Sequence, residues 1–258
     1  MNALPFTLDR TVTIEARRET VFGFFTDDTR WAKWWGTGST IDPRVGGRVY
    51  IRHPGNVEVT GEILEISVPA RLVFTYGYAS GKPFGAGESR VTIRLEPAGT
   101  ATRLSLTHEF PQEVARDEHV QGWRYQLALF GNAVADEQHS SAANVADAWF
   151  ALWADRDADA RRQQLSEIAS ADIRFRDRYS LNDGLDDLLA HITATQRFMP
   201  GIRMTRAGNI RHCQGTMLAD WVAAGPDGKP MMMGVNVFLL NGDGKIATVT
   251  GLVTPPSP

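Results

Sequence analysis

Alternating apolar and polar positions predict an antiparallel sheet in the first half of the chain. In the segments 71–78, 90–95 and 102–110, apolar residues occupy every second position, which is typical of a strand with one buried face. A different period follows, because apolar residues recur at spacings of three and four from Val120 to Val134. This spacing predicts one apolar stripe on a long helix, and we expect that helix to cover the sheet.

The stripe ends in a segment of polar and small residues at 136–143, where we place a domain boundary. Beyond it, the same reasoning predicts helices near 145–153, 165–169 and 185–192, and strands at 173–175, around Ile210, around Trp221, at 231–240 and at 246–253. The sequence therefore predicts an α+β protein with two domains, residues 1–135 and residues 143–258.

Composition restricts the class of protein. The chain has 258 residues, of which 43% are hydrophobic and 22% are charged, as in ordinary globular proteins. No apolar run approaches the roughly 20 residues of a membrane helix, and a net charge of −3 without a long basic run argues against nucleic acid as a partner. The first residues lack a secretory pattern and the single cysteine cannot form an internal disulfide, so we expect a cytoplasmic setting.

The segment 231–240 is apolar at both strand parities. Such a strand is covered on both faces. We expect helices on one face, and either the first domain or a second copy of the chain on the other. A homodimer is the expected assembly.

Three motifs in the first domain carry a family resemblance: TVFGFFTD at 20–27, WAKWWG at 31–36 and DPRVGGR at 42–48. They resemble bacterial relatives of the activator of the heat-shock protein 90 ATPase, over roughly residues 7–132. The resemblance implies a START-like helix-grip fold. It also implies a cavity for a lipid or another small molecule as the commonest use of the fold, and no defined catalytic set.

A long helix laid over a curved sheet can leave a cavity. The candidates to line it are aromatic or imidazole side chains: Trp35, Tyr50, Phe74, Tyr76, His108 and Trp123. A filled aromatic core is the alternative. His108 shares the inward parity of its apolar neighbours, so it is either a hydrogen-bonded core histidine, which we favour, or a catalytic one.

In the second domain, the motifs DIRFRD at 172–177 and MMGVNVF at 232–238 resemble SnoaL-like members of the nuclear transport factor 2 superfamily, over roughly residues 143–253. The resemblance implies a cone-shaped α+β barrel with one open pocket of ligand size. Ketosteroid isomerases, polyketide cyclases, dehydratases and many noncatalytic proteins share this fold, so the residues of the pocket have to decide the function.

Two polar residues stand out in these motifs. Asp177 shares a strand face with Ile173 and Phe175, so its carboxylate would be desolvated and a stronger base. Its position resembles that of the proton-abstracting aspartate of the ketosteroid isomerases, and Asn236 matches their oxyanion-hole aspartic acid. A salt bridge to an arginine or a turn cap is the alternative role for Asp177, and a satisfied buried amide is the alternative for Asn236.

Other residues are candidates to line the same pocket: Trp149, His191, Phe198 and Trp221. Trp149 stands where the isomerases carry a tyrosine, and it offers only an indole N–H. The histidines show no spacing typical of metal ligands, so we expect neither a metal nor a cofactor.

The sequence thus supports two functions, and a third hypothesis, a chaperone-associated module, has the least support. The leading hypothesis is a two-domain protein that binds small, largely apolar organic molecules. The alternative is an isomerase, cyclase or dehydratase with Asp177 as general base and Asn236 as oxyanion donor.

Overall fold

The computed structural model describes residues 4–254. The start of the chain, on which the expectation of no secretory leader rests, lies partly outside the described residues. The chain divides into two compact units, Met1–Glu137 and Gln138–Pro258. The division falls within the segment where the sequence places the domain boundary, and the two domains with their bounds stay a prediction.

Seven strands form the antiparallel sheet of the first unit, in the order β1-β7-β6-β5-β4-β3-β2. Their bounds are β1 (Phe6–Ile14), β2 (Thr40–Ile41), β3 (Arg48–His53), β4 (Val57–Ser67), β5 (Arg71–Tyr78), β6 (Ser89–Ala98) and β7 (Ala101–Phe110). Three helices accompany them: α1 (Arg18–Gly23), α2 (Asp28–Trp35) and α3 (Glu113–Gln138).

Helical aromatic residues fill the core of this unit. The Asp27 carboxylate accepts a hydrogen bond of 2.8 Å from the backbone N–H of Arg30, which satisfies a free donor at the start of α2. The three tryptophans of α2 are buried in the core. Phe130 of α3 stacks on Phe25 with ring centroids 5.0 Å apart, so the predicted long helix shares its core with the sheet.

Seven further strands form the sheet of the second unit: β8 (Ala169–Arg176), β9 (Leu181–Asp183), β10 (Arg203–Arg206), β11 (Arg211–Cys213), β12 (Thr216–Ala224), β13 (Pro230–Leu240) and β14 (Ile246–Val253). The order is β10-β12-β13-β14-β8-β9, with β11 also paired to β12. Only the β8–β14 pair is parallel among the described pairs. The helices are α4 (Ala142–Leu152), α5 (Ala158–Ile168) and α6 (Leu185–Phe198).

A tight turn fixes the register between β13 and β14. The Asn241 side-chain oxygen accepts hydrogen bonds of 3.0 Å from the backbone N–H groups of Asp243 and Lys245, an arrangement that asparagine favours in turns. Gly244 has a φ of +76°, which glycine adopts without steric cost. The register that follows from this turn pairs Asn236 with Gly251.

Two details of the sequence prediction need correction. The strand expected around Ile210 begins one residue later, because β11 runs from Arg211 to Cys213. Strands β9 and β10 were not predicted. They have three and four residues, and such short segments show too few repeats for a period to be recognised.

Strand β13 has one buried face and one more exposed face. Asn236 and Phe238 are buried, whereas Met231, Met233 and Leu239 at the other parity are exposed. The two-sided apolar pattern therefore corresponds to helices and core on one side and an exposed apolar face on the other. The homodimer stays a prediction.

The predicted α+β class is confirmed, with helices and large antiparallel sheets in both units. Between residues 4 and 254, no helix is long and apolar enough to cross a membrane.

Candidate functional site

A cavity of about 440 Å³ opens in the second unit. Its walls are mostly apolar and include Trp153, Phe175, Ile202, Met204, Met232 and Val253. Its polar groups include Asp177, His191 and Asn236. A small number of polar groups in an apolar cavity is typical of sites for small organic molecules.

The sheet brings Asp177 and Asn236 together across Gly251. Thr250 of β14 pairs with Arg176 of β8, and Gly251 pairs with Asn236 of β13. A Cβ atom placed on Gly251 would lie 3.2 Å from the Asp177 Cβ and 3.3 Å from the Asn236 Oδ1. The space that glycine leaves empty therefore separates the Asp177 and Asn236 side chains.

One oxygen of the Asp177 carboxylate closes a turn at the end of β8. Oδ1 accepts hydrogen bonds of 2.8 Å from the backbone N–H of Tyr179 and from the hydroxyl of Ser180. This agrees with the turn-cap alternative for Asp177. Within residues 4–254 no arginine forms an ion pair with Asp177, and Oδ2 has no hydrogen-bond partner. The carboxylate is thus held by one oxygen, and the other has no partner among the described residues.

Trp221 fixes the orientation of the Asn236 amide. The indole Nε1 lies 3.0 Å from the Asn236 Oδ1. Because an indole N–H only donates, the atom that faces it must be the amide oxygen. The Asn236 NH₂ group is then left as a donor, and it has no partner among the described residues. Asn236 is only 3% exposed and lines the cavity, so water or a ligand acceptor in the cavity would satisfy this donor.

Ser180 links Asp177 to His191. The Ser180 hydroxyl lies 2.8 Å from Asp177 Oδ1 and 3.3 Å from His191 Nε2. The Ser180 hydroxyl donates its single proton in a hydrogen bond to the carboxylate. Its oxygen therefore accepts a hydrogen bond from the Nε2–H of His191. The His191 ring itself packs against Phe175 and Trp153, with centroids 5.7 Å from each. The three polar side chains form one chain beside the cavity.

Removing the Ser180 hydroxyl should affect turnover more than binding. We expect Ser180→Ala to lower kcat roughly tenfold for any reaction that uses Asp177, because a hydrogen bond to a charged group is lost. KM should change little, since Ser180 is a positioning residue behind the carboxylate. Steady-state kinetics check this, with Ser170→Ala on β8, the strand before the Ser180 loop, as control. A rise in KM at constant kcat would contradict the assigned role.

The other residues predicted for this pocket separate into two groups. His191, Phe198 and Trp221 line the cavity. Trp149 does not, which corrects its assignment. It is completely buried and packs beneath the wall, with centroids 5.8 Å from those of Phe175 and Phe238.

Sequence reasoning missed several wall residues. Met232 shares the strand parity of Asn236, so the alternation along β13 contained the signal for it. Met204 lies on the short strand β10 and Ile202 just before it, where no periodic pattern exists to identify them. Ser180 follows β8 in a loop, and only the turn geometry places it against Asp177.

The first unit has a cavity of its own, of about 510 Å³. Of the predicted residues, Trp35, Tyr76 and Trp123 line it. Phe74 does not: it is 1% exposed and packs in the core against Trp31, with centroids 6.2 Å apart. The assignment of Phe74 to the cavity is therefore corrected.

Tyr50 lies on the outer face of the sheet, which corrects its assignment to the cavity. Its neighbours Val49 and Ile51 are buried at the opposite parity, so a strand must direct Tyr50 outward. Its hydroxyl donates a 2.9 Å hydrogen bond to Glu58, and its ring packs under the Arg48 guanidinium.

His108 is a hydrogen-bonded core histidine, the alternative that the sequence favoured, and it does not line the cavity. It is completely buried. The Trp123 indole donates to its Nδ1 at 2.9 Å, and its Nε2 lies 2.8 Å from the Ser89 hydroxyl. That hydroxyl donates to the backbone oxygen of Tyr76, so it accepts from Nε2–H. Burial lowers the pKa of His108 well below its usual value, so the ring stays neutral.

No group of three or more histidine, cysteine, aspartate or glutamate side chains in the described part of the chain is arranged to hold a metal ion.

Parts of the chain are similar to known proteins. Residues 15–135 match the model of a family described as Activator of Hsp90 ATPase homolog 1-like protein. The predicted resemblance of the first unit is therefore confirmed. A comparison with curated proteins gives no match.

Solved structures similar to parts of the chain come from several bacteria. A protein from Agrobacterium tumefaciens, provisionally named an isomerase of the SnoaL-like family, is 26% identical and covers 46% of this chain and 99% of its own, with a TM-score of 0.43. CalU16 from Micromonospora echinospora is 28% identical and covers 54% of this chain and 82% of its own, with a TM-score of 0.42.

Proposed function

We propose that the chain binds small, largely apolar organic molecules, and that the cavity of the second unit catalyses proton transfer on such a molecule. One observation carries this proposal. The free oxygen of Asp177 and the free NH₂ group of Asn236 belong to side chains that line the same apolar cavity on either side of Gly251.

The two groups suit the removal of a proton from carbon next to a carbonyl group. Asp177 takes the proton, the electron pair of the C–H bond forms a C=C bond, and the π electrons of the carbonyl move to its oxygen. Asn236 donates a hydrogen bond to the developing oxyanion. Isomerisation, cyclisation and dehydration can each begin with this removal of a proton. The geometry therefore supports the shared first step, and the reaction that follows it depends on the substrate.

The apolar walls strengthen the hydrogen bond that Asn236 can donate. In a cavity from which water is excluded, a fixed donor stabilises a developing negative charge more than it does in water. Asn236 does not have to reorganise when the charge appears, because Trp221 already holds its amide oxygen.

The experiment that tests the proposal uses 2-tetralone, a small apolar ketone with acidic hydrogens next to its carbonyl group. In D₂O, ¹H NMR follows the loss of these hydrogens. We expect the protein to accelerate the exchange in proportion to its concentration. If 2-tetralone binds in the second-unit cavity, as shown by shifts of the His191 signals, and its exchange is not accelerated, the catalytic part of the proposal is wrong.

Binding without chemistry is the second candidate function. The observation that favours it is the turn cap, which gives Asp177 a structural reason to be present. In that case the affinity for 2-tetralone would be the same in the protein and in Asp177→Asn, and neither would accelerate exchange.

A further inference from the structure

An open groove of about 850 Å³ lies in the second unit, where β8 and β14 end and β13 begins. Three of the apolar side chains along it are exposed: Met231, Met233 and Leu252. An exposed apolar surface of this kind marks a place where another molecule binds. The charged residues of the groove indicate which kind of molecule that is.

Two arginines give the groove its charge. Arg176 and Arg178 line it, and both side chains are exposed. Arg176 has the outward parity of β8, because its neighbour Phe175 is buried. Within residues 4–254 neither guanidinium has an ion-pair or hydrogen-bond partner. The Arg178 guanidinium only packs over the ring of Tyr179, 6.0 Å from its centroid.

A third arginine on β8 shows the contrast. Arg174 shares the outward parity of Arg176, but its Nε lies 3.7 Å from the carboxylate of Asp183. It does not line the groove. Asp177 is the only acidic residue along the described part of the groove, and it forms no ion pair with Arg176 or Arg178. The positive charge of the groove therefore has no counterpart in the chain that the structure describes.

The groove adjoins the cavity of the second unit. Five residues contribute to the walls of both: Asp177, Tyr179, Met232, Gly251 and Val253. Asp177 is also the base of the proposed proton transfer, and Arg176 and Arg178 flank it in the chain. A molecule that reacts at Asp177 therefore lies beside the groove, within reach of two long side chains that keep their charged ends in water.

We propose that the substrate of the second-unit cavity carries an anionic group, which Arg176 and Arg178 bind in the groove while the apolar carbonyl part lies in the cavity. The inference rests on the proposed function and adds the class of substrate, an apolar ketone with an anionic group. A guanidinium suits this role because it offers pairs of N–H donors to the oxygens of an anion.

Charge also sets the direction in which such a substrate binds. No lysine or arginine lines the cavity within the described ranges, and an anion inside it would meet the carboxylate of Asp177 in apolar surroundings. Burial of an unpaired charge beside a like charge is unfavourable. The anionic end therefore stays in the groove, and the ketone enters the cavity between Asp177 and Asn236.

The test compares 4-oxo-4-phenylbutanoate with its methyl ester, two aryl ketones that differ in the negative charge. Shifts of the His191 NMR signals in the full chain report binding in the second-unit cavity. At low ionic strength we expect the acid to bind about three- to tenfold more tightly than the ester, as two exposed ion pairs allow. The difference should shrink in about 0.5 M salt, which screens exposed charges.

The two compounds separate this inference from the proposed function. If the ester shifts the His191 signals and the acid binds no more tightly, the anion site is wrong and the proposed binding of small molecules stands. If neither compound shifts these signals, binding in the second-unit cavity fails, and the anion site fails with it.

A double variant locates the site. In Arg176→Gln/Arg178→Gln we expect the preference for the acid over the ester to disappear. Arg174→Gln is the matched control, since it removes the same charge from the same strand outside the groove. It should keep the preference. A preference that survives in the double variant, or that is lost equally in Arg174→Gln, would overturn the assignment to the groove.

A second copy of the chain is the other occupant that the exposed apolar side chains of the groove allow. Sedimentation velocity of the unmodified chain and of the double variant distinguishes it from a ligand. We expect the two proteins to have the same sedimentation coefficient. A dimer that dissociates when Arg176 and Arg178 are replaced would assign the groove to an interface between copies and overturn the proposal.

Discussion

Replacement of Asp177 by asparagine is expected to lower kcat/KM for the exchange of 2-tetralone by about two to four orders of magnitude, the usual contribution of a general base. Asparagine has nearly the same shape, and its oxygen can still accept from the Tyr179 N–H and the Ser180 hydroxyl. The turn is therefore preserved. An amide is not a base, so only the proton transfer is lost.

The rate is measured by ¹H NMR in D₂O at several concentrations of 2-tetralone. Asp172→Asn is the matched control, because Asp172 lies on β8, the strand that ends just before Asp177, and is exposed to solvent. It should retain the full rate. Full exchange activity in Asp177→Asn would exclude Asp177 as the base and leave it as a turn cap.

Replacement of Asn236 by leucine is expected to lower the same rate by about two to three orders of magnitude, as for the loss of an oxyanion donor. It also leaves the Trp221 indole N–H without its acceptor. The loss of that hydrogen bond in a buried site should cost about 1–3 kcal/mol of stability. Thermal unfolding measures this second effect separately from the exchange rate.

Asn236→Asp distinguishes a lost donor from a disturbed structure. The new carboxyl group keeps an oxygen for Trp221, but it can donate to the oxyanion only when it is protonated. Burial near Asp177 favours the protonated form of one of the two carboxyl groups. We therefore expect the activity of Asn236→Asp to rise as the pH falls and the new carboxyl group gains its proton. A pH profile with the same shape as that of the unmodified protein would contradict the donor role.

Much of the fold follows from local patterns in the sequence. The period of two in β5, β6 and β7 and the helical spacing in α3 are visible without any structure, because they depend only on the geometry of each element. The same parity places Asp177 with Phe175. The assignment of Tyr50 to the cavity was wrong because it disregarded this alternation. Along β3, Tyr50 shares the parity of Arg48, which is exposed, and not that of Val49, which is buried.

The hydrophobic pattern of the sequence did not predict how deeply a side chain is buried. Trp149 lies on the buried side of α4, as its helical spacing indicates, but it packs beneath Phe175 and Phe238 instead of reaching the cavity. Phe74 likewise faces inward and contributes to the core. The hydrophobic period predicts which face of an element is buried. It does not predict whether that face packs against other side chains or lines a cavity.

The sequence by itself determined the α+β class, the order of most elements, and the parity that places Asp177 with Ile173 and Phe175. Only the tertiary structure decided that β14 lies between β8 and β13, which brings the two side chains to opposite sides of Gly251. It also decided which atoms of Asp177 and Asn236 remain free, through Ser180 and Trp221. The physical reason is that periodicity reflects local backbone geometry, whereas strand neighbours and hydrogen-bond partners come from residues far apart in the chain.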